Sequence, residues 1–335
     1  MKKIIIALLI VAMVSFFASS AFAATAKWKL GHFRPTTDDA HTNLIEFAKN
    51  VKERTNGRVE IQIFPAAQLG SAEACFEKMG IGSLEMTCGW FNTTLDKRLE
   101  VNIFPGAVGT YNDVRKVYRA GSPFMNVLQE LCTPLGIRIA GSYSQYLSGL
   151  AFLELPKDVL NPNAKHSQKL RVPNQKQFAW TIESLGYSVT PLPTTEIFTA
   201  LQTRVIDGIA TQGAQTIYMS TRDLVKYWVP LDIHYEPWFM FISEQALNKL
   251  SKDDQAAVLD ECKKLENKKF KDAEPIMREY EKKLAQHGIE VLKVSPEIKV
   301  AFQKRIREYV LPKFKVELGE EFYNKVVKAI EDSKK

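Results

Sequence analysis

Lys169-Leu170-Arg171-Val172-Pro173 reads as a short strand stopped by proline, and the run after it, Thr194-Thr195-Glu196-Ile197-Phe198-Thr199-Ala200-Leu201-Gln202-Thr203, reads as a helix ahead of Val205-Ile206-Asp207-Gly208. Ile197, Leu201 and Val205 share one face of that helix, and Thr194 or Thr195 is its expected N-cap. A glutamate in the first turn, here Glu196, suits the positive end of the helix dipole. What sets the stretch apart is one arginine at a strand end. A guanidinium keeps its charge in a protein and offers a planar fork of donors that fits a carboxylate, so a part-buried one calls for an anion. The anion at Arg171 is either a ligand or an acidic neighbour such as Glu196.

Outward from this point, short apolar runs at 28–33, 59–64, 84–88, 137–142 and 187–191 alternate with helical stretches such as 42–55 and 111–131. Alternation of this kind predicts an α/β protein. The first helix sets Leu44, Phe47, Ala48 and Val51 against Glu46, Lys49 and Lys52, then stops at Asn56-Gly57. Asp38 and Asp39 are expected to begin it. Ser251 with Asp253 and Asp254 starts a long helix over 252–286, kinked at Pro275 and ended by His287-Gly288. A chain of 335 residues exceeds the usual single core, so two lobes are expected.

The N-terminus has Lys2 and Lys3, an apolar run over 4–18 and the small-residue site Ala21-Phe22-Ala23, the pattern of a secretory signal peptide spanning 1–23. Its apolar run is shorter than the roughly 20 residues a membrane span needs. Removing the signal takes two lysines, lowering the formal net charge from +7 to +5. The remaining charge is dispersed: Lys263, Lys264, Lys268, Lys269 and Lys271 are interleaved with Glu261, Glu266 and Asp272, a solvated helix face and not a nucleic-acid surface. Cys75, Cys88, Cys132 and Cys262 form no metal-binding spacing. Either Cys75 bridges Cys88 or all four are buried free thiols.

The ordered set Trp28-Lys29-Leu30-Gly31-His32, Gly57-Arg58-Val59-Glu60-Ile61, Phe64-Pro65-Ala66-Ala67-Gln68-Leu69-Gly70, Asp113-Val114, Gly121-Ser122-Pro123-Phe124, Leu135-Gly136-Ile137-Arg138 and Leu250-Ser251-Lys252-Asp253-Asp254-Gln255 joins the Arg171 segment in one pattern. The chain resembles the DctP-type solute receptors of tripartite ATP-independent periplasmic (TRAP) transporters, from about residue 27 to the C-terminus. That resemblance implies a two-lobed α/β periplasmic binding protein with a central cleft and a long helix along both lobes. It puts lobe I at 24–147 plus about 236–265, and lobe II at 148–235 plus about 266–335, with the helix over about 252–286 shared. It implies that Arg171 holds a substrate carboxylate, that Thr194 faces the cleft, and that the protein is periplasmic and hands its ligand to the small and large membrane subunits of a permease.

Two departures bear on the ligand. Ile209-Ala210-Thr211 stands where such receptors usually carry Gln-Glu-Asn, so Thr211 offers one hydroxyl where an asparagine amide would offer two donors. The run Ser142-Tyr143-Ser144-Gln145-Tyr146-Leu147-Ser148-Gly149 lacks the second arginine that many relatives place there. A single clamp points to a monocarboxylate. Trp90, Phe91, Tyr146 and Trp238 fall where lobes should face one another, and as cleft walls they suit an apolar or aromatic body; the alternative for each is plain core packing. Gln68 is expected at the ligand. His32 or Arg34, in a loop with Asp38, Asp39 and His41, is expected to bind solute or close the lobes, with no metal.

No nucleophile elbow, glycine-rich phosphate loop or dinucleotide fingerprint is present, so no catalysis and no cofactor are expected. The partners expected are a small carboxylate and the permease, not nucleic acid. A periplasmic sensing module docked on a histidine kinase is the alternative of a different class.

Overall fold

The computed structural model describes residues 25–335; the expected signal peptide lies outside the described residues. Strand β1 (Ala26–His32) leads through α1 (Asp39–Arg54), β2 (Val59–Phe64), α2 (Ala72–Gly80), β3 (Met86–Gly89), α3 (Tyr111–Tyr118) and α4 (Pro123–Cys132) to the long β4 (Ile137–Leu147). Next come β5 (Gly149–Phe152), β6 (Lys169–Val172), α5 (Lys176–Ser184), β7 (Ser188–Pro191), α6 (Ile197–Gln202), β8 (Gly208–Gln212), α7 (Ala214–Ser220) and β9 (Tyr227–Val229). The chain finishes with β10 (Tyr235–Ser243), α8 (Glu244–Asn248), α9 (Lys252–Gln286), β11 (Glu290–Val291), α10 (Pro296–Leu318) and α11 (Glu320–Lys334).

Two sheets result, ordered β2-β1-β3-β10-β4 and β11-β9-β5-β8-β6-β7. In the first, β1 runs parallel to β2 and β3, while β10 enters antiparallel between β3 and β4. In the second, β6 is parallel to β7 and β8, and β5 is antiparallel to β8 and β9. The α/β reading and the two-lobed architecture therefore hold. Three segments cross between sheets: β4 into β5 through Ser148, β9 into β10, and α9. The two strand crossings are tied together, with Ser148 N donating to His234 O at 2.7 Å and Ile233 N to Ser148 O at 3.1 Å.

Local signals act as their chemistry requires. Asp38 caps α1 by accepting from Ala40 N, and Leu44, Phe47, Ala48 and Val51 are its buried stripe. Ser251 caps α9 by accepting from Asp254 N, and α9 continues through Pro275 as one helix of 35 residues. It packs on β4, α1 and α3 on one side and on α7 and β11 on the other. At its middle Glu266, 2 % exposed, accepts from Ala120 N at 2.9 Å and Ser142 N at 2.8 Å. The single helical stretch expected over 111–131 is instead α3 and α4: Gly121 takes φ +82° and Ser122 caps the second helix by accepting from Met125 N. All four cysteines are buried free thiols. The final helix, which the sequence reading placed with the second lobe, packs on α3 and α4 beside the first sheet, with Lys116 Nζ donating to Lys334 O and Phe124 N to Ser333 Oγ.

Candidate functional site

The first wall of the cleft grows from the ends of β1, β3 and β10. Period-two alternation on β10 turns Phe239 and Phe241 into one core and Trp238, Met240 and Ile242 into the other. Trp238 meets Phe33, just beyond β1, at 4.7 Å between ring centroids; Phe33 meets Trp90, just beyond β3, at 4.3 Å; and Tyr143 stacks behind Trp238 at 6.0 Å. Arg34 lies 5.7 Å over the Trp238 ring and is paired with Asp38, Nε to Oδ2 at 2.7 Å. Across from this corner, β4 carries two residues, Gln145 and Tyr146, where β10 carries only Glu236, because the pairing steps from Tyr235↔Leu147 to Pro237↔Ser144. This bulge re-aims side chains, and Gln145, Tyr146 and Glu236 all line the cavity.

The second wall is built on β6 and β8. Arg171 is 3 % exposed; its Nε and Nη2 donate to Leu192 O at 2.9 and 2.7 Å, and Nη2 lies 3.4 Å from Thr194 Oγ1. Among the described residues no carboxylate comes within 4 Å of it, and Nη1 donates to no protein group. The Glu196 alternative is not realised, since Glu196 is exposed. Burial pushes the guanidinium down to about 10, against the smaller opposing influence of Tyr146 and Glu236.

Thr194–Glu196 forms a 3-10 turn, and α6 begins at Ile197 without a side-chain cap. The threonine cap expected from sequence is thus absent, and the Thr194 hydroxyl accompanies Arg171 instead. On β8 a second bulge, between Gly149↔Gln212 and Leu150↔Ala210, leaves Thr211 unpaired at φ +68°, a left-handed conformation that costs a β-branched residue of order 1–3 kcal/mol. Gly213 follows because a Cβ there would stand 2.5 Å from the Tyr146 ring.

Between the walls lies a cavity of about 450 Å³, within the range of small-molecule sites. Of the residues singled out from sequence, it brings together Arg171, Thr211, Trp238, Thr194, Trp90, Phe91, Tyr146 and Arg34. Gln68 and His32 are not among its lining residues. Gln68 is exposed on the turn after β2. His32 is buried behind the lining, its Nε2 3.1 Å from His41 Nδ1, and burial, then His41 and Arg34, hold its pKa down to about 4. Its loop has ordinary work, since Asp38 pairs with Arg34 and Asp39 with Lys269 at 2.9 Å. Among the described residues no group of three or more His, Cys, Asp or Glu side chains could hold a metal. Sequence reasoning missed Gln145, Gln175, Gln177, Gln212, Gln215 and Glu236, which also line the cavity. The available signal for Glu236 was a lone acid inside the otherwise uncharged strand Tyr235–Ser243.

Comparison with known proteins agrees with this geometry. A solute-binding protein of Roseobacter denitrificans is 28 % identical over 244 residues, covering 72 % of this chain and 74 % of its own. A TRAP periplasmic solute-binding protein from Ochrobactrum anthropi, solved with its C-terminus bound in the ligand-binding pocket, superimposes with a TM-score of 0.82 at 20 % identity, over 92 % of this chain and 96 % of that one. One from Desulfovibrio salexigens with bound orotic acid gives a TM-score of 0.79 at 20 % identity, over 92 % and 99 %. The model of the DctP family, bacterial extracellular solute-binding protein family 7, matches residues 30–315. With that match over most of its length, the chain belongs to the DctP family of bacterial extracellular solute-binding proteins.

Proposed function

We propose that this receptor works in the periplasm, captures a monocarboxylic organic acid with an apolar or flat body in the cleft, and delivers it to a TRAP-type membrane permease. The observation that carries this reading is the buried Arg171 guanidinium, which reaches the cavity with no acidic partner within 4 Å among the described residues. A charge so placed is satisfied by an anion entering from solvent. The Phe33, Trp90 and Trp238 corner supplies apolar faces for the rest of the ligand. Binding of orotic acid, a flat carboxylate, by the Desulfovibrio salexigens relative supports the same chemistry. Thr194 supplies a hydroxyl beside the clamp, and Thr211, whose hydroxyl donates to Ala210 O, lines the same cavity. Because lining residues come from both sheets, ligand contacts complete only when the lobes engage, and this differential contact drives closure. No observation favours the signalling-module alternative.

The test is a thermal-shift screen of the mature protein against small organic acids, from lactate and pyruvate through branched 2-oxo acids, benzoates and amino and betaine acids to dicarboxylates and sugar acids. A ligand at 100 times its dissociation constant adds about 2.7 kcal/mol, a rise of several degrees. A shift confined to flat or apolar monocarboxylates is the expected result. Shifts only with sugar acids or dicarboxylates overturn the proposed ligand class, and no shift with any carboxylate overturns the clamp.

A further inference from the structure

Among the described residues three charged side chains line the cavity: Arg34, Arg171 and Glu236. Arg34 is neutralised locally, its Nη2 2.5 Å from Asp38 Oδ2. Arg171 is the anion clamp. Glu236 is the charge left over, and it is an acid in a site that admits acids.

Arg171 attracts it across the cavity, but among the described residues no lysine or arginine forms an ion pair with it. Oε1 receives the Trp238 indole N–H at 3.3 Å. Oε2 lies 3.7 Å from His234 Nε2, beyond hydrogen-bond reach, and that nitrogen is buried without any partner. Among the described residues no lysine or arginine comes within 4 Å of it. The side chain is 22 % exposed, so water screens it only in part, and a closed cleft screens it less. A plain carboxylic acid entering here meets attraction at Arg171 and like-charge repulsion at Glu236. A neutral hydroxyl or amide would satisfy one oxygen and leave the charge uncompensated. A cation satisfies both needs: the Trp238 indole edge meets Oε1 at 3.3 Å, the Phe33 and Trp90 rings pack with Trp238 and line the same cavity, and aromatic surface beside an acid is how proteins hold ammonium and pyridinium groups. The β4 bulge opposite Glu236 opens the strand pair at this point.

Resting on the carboxylate reading above, we propose that the ligand is a zwitterion, with its carboxylate on Arg171 and a cationic nitrogen held by Glu236 beside the aromatic corner of Phe33 and Trp90. The polar glutamines around the cavity complete the fit to a molecule charged at both ends.

The experiment is calorimetry with pairs of acids matched in shape and differing only in the cationic group. Suitable pairs are N-methylpyridinium-3-carboxylate with 3-methylbenzoate, L-phenylalanine with 2-methyl-3-phenylpropanoate, and glycine betaine with 3,3-dimethylbutanoate. Wild type, Glu236→Gln and Arg171→Ala are compared, each checked for a folded circular-dichroism spectrum; Glu236→Ser replaces the glutamine variant if that one does not fold. The expected result is a zwitterion bound at least about 10-fold more tightly than its matched acid, with Glu236→Gln abolishing the difference. Matched acids that bind as tightly as or more tightly than their zwitterions, with binding lost in Arg171→Ala, overturn this inference and leave the carboxylate reading standing. Zwitterion preference that survives Glu236→Gln overturns the role of Glu236. Binding undiminished by Arg171→Ala overturns the carboxylate reading itself, as does a folded protein that binds no member of any pair and no acid in the wider screen.

Discussion

Replacing Arg171 separates what the guanidinium does for the ligand from what it does for the fold. Its Nε and Nη2 donate to Leu192 O, and Nη2 also to Thr194 Oγ1, leaving Nη1 for the cavity. Burial pushes its pKa down to about 10, which corresponds to a penalty of about 3 kcal/mol on keeping the charge there. Arg171→Ala removes that penalty and also leaves the Leu192 carbonyl short of its donors, a loss of about 1–3 kcal/mol. The two effects oppose, so the unliganded variant should melt within a few degrees of wild type. Binding has no such compensation: deleting one side of a buried charge-assisted pair costs about 2–5 kcal/mol, or about 30-fold to several thousand-fold in affinity. Arg171→Lys keeps a charge but not the fork, and should lose roughly 10- to 100-fold. Calorimetry with whichever acid stabilises the wild type, alongside melting of the three unliganded proteins, makes the comparison. Affinity unchanged in Arg171→Ala, or affinity lost only in step with collapse of the fold, would refute the reasoning.

Thr211→Asn should stabilise the protein by about 1 kcal/mol, because asparagine enters the left-handed region that Thr211 occupies at φ +68° with less strain; a lower melting temperature would count against strain at the bulge. His32 is buried with its pKa held down to about 4, against about 6.5 in an unfolded chain. Between those values the unfolded chain binds the proton and the folded protein does not, so stability rises with pH: the contribution, about 3 kcal/mol, is complete above about pH 6.5 and lost as pH falls towards 4. Urea midpoints from pH 4 to 7 should therefore flatten in His32→Gln, and an unchanged slope would assign the acid sensitivity elsewhere. Glu266→Ala strands the Ala120 and Ser142 amides that its carboxylate accepts, at about 1–3 kcal/mol each, whereas Glu266→Gln keeps an acceptor and should lose much less; equal denaturation midpoints for the two variants would refute this.

Much of the architecture was legible because it follows from short-range patterns. The Leu44, Phe47, Ala48, Val51 stripe and the Asp38 and Ser251 caps act within one or two helical turns, and sequence spacing reports on that range directly. The split of 111–131 into α3 and α4 was written in Gly121-Ser122-Pro123 and overlooked, because each half carries a helical period of its own. The site divides along the same line. Arg171 stood out because a lone arginine at a strand end suits an anion and the ordered family pattern placed it, and Trp238 because an aromatic near a crossover between lobes suits a cleft wall. Glu236 did not, since its significance depends on a bulge formed with β4, whose partner residues lie about ninety positions earlier in the chain. His32 and Gln68 misled for a related reason: adjacency to a strand end says which loop a side chain occupies, not whether it turns into the cleft or behind it. The C-terminal helix could not be assigned to a side from its own amphipathic pattern, which fits any apolar surface of the right width.

The strand order β2-β1-β3-β10-β4 has a consequence for how this molecule comes into being. Among the described residues β3 and β4 have no ladder with each other; β10 bonds to both, and it follows strands β5 to β9 of the second sheet in the chain. The first sheet is therefore a structure of high contact order, held open through most of translation and completed by an insertion at its centre, not by addition at an edge. A chain interrupted before Tyr235 would lack both the strand that joins β3 to β4 and the Trp238 wall, so the first sheet and the cleft depend on the same late segment.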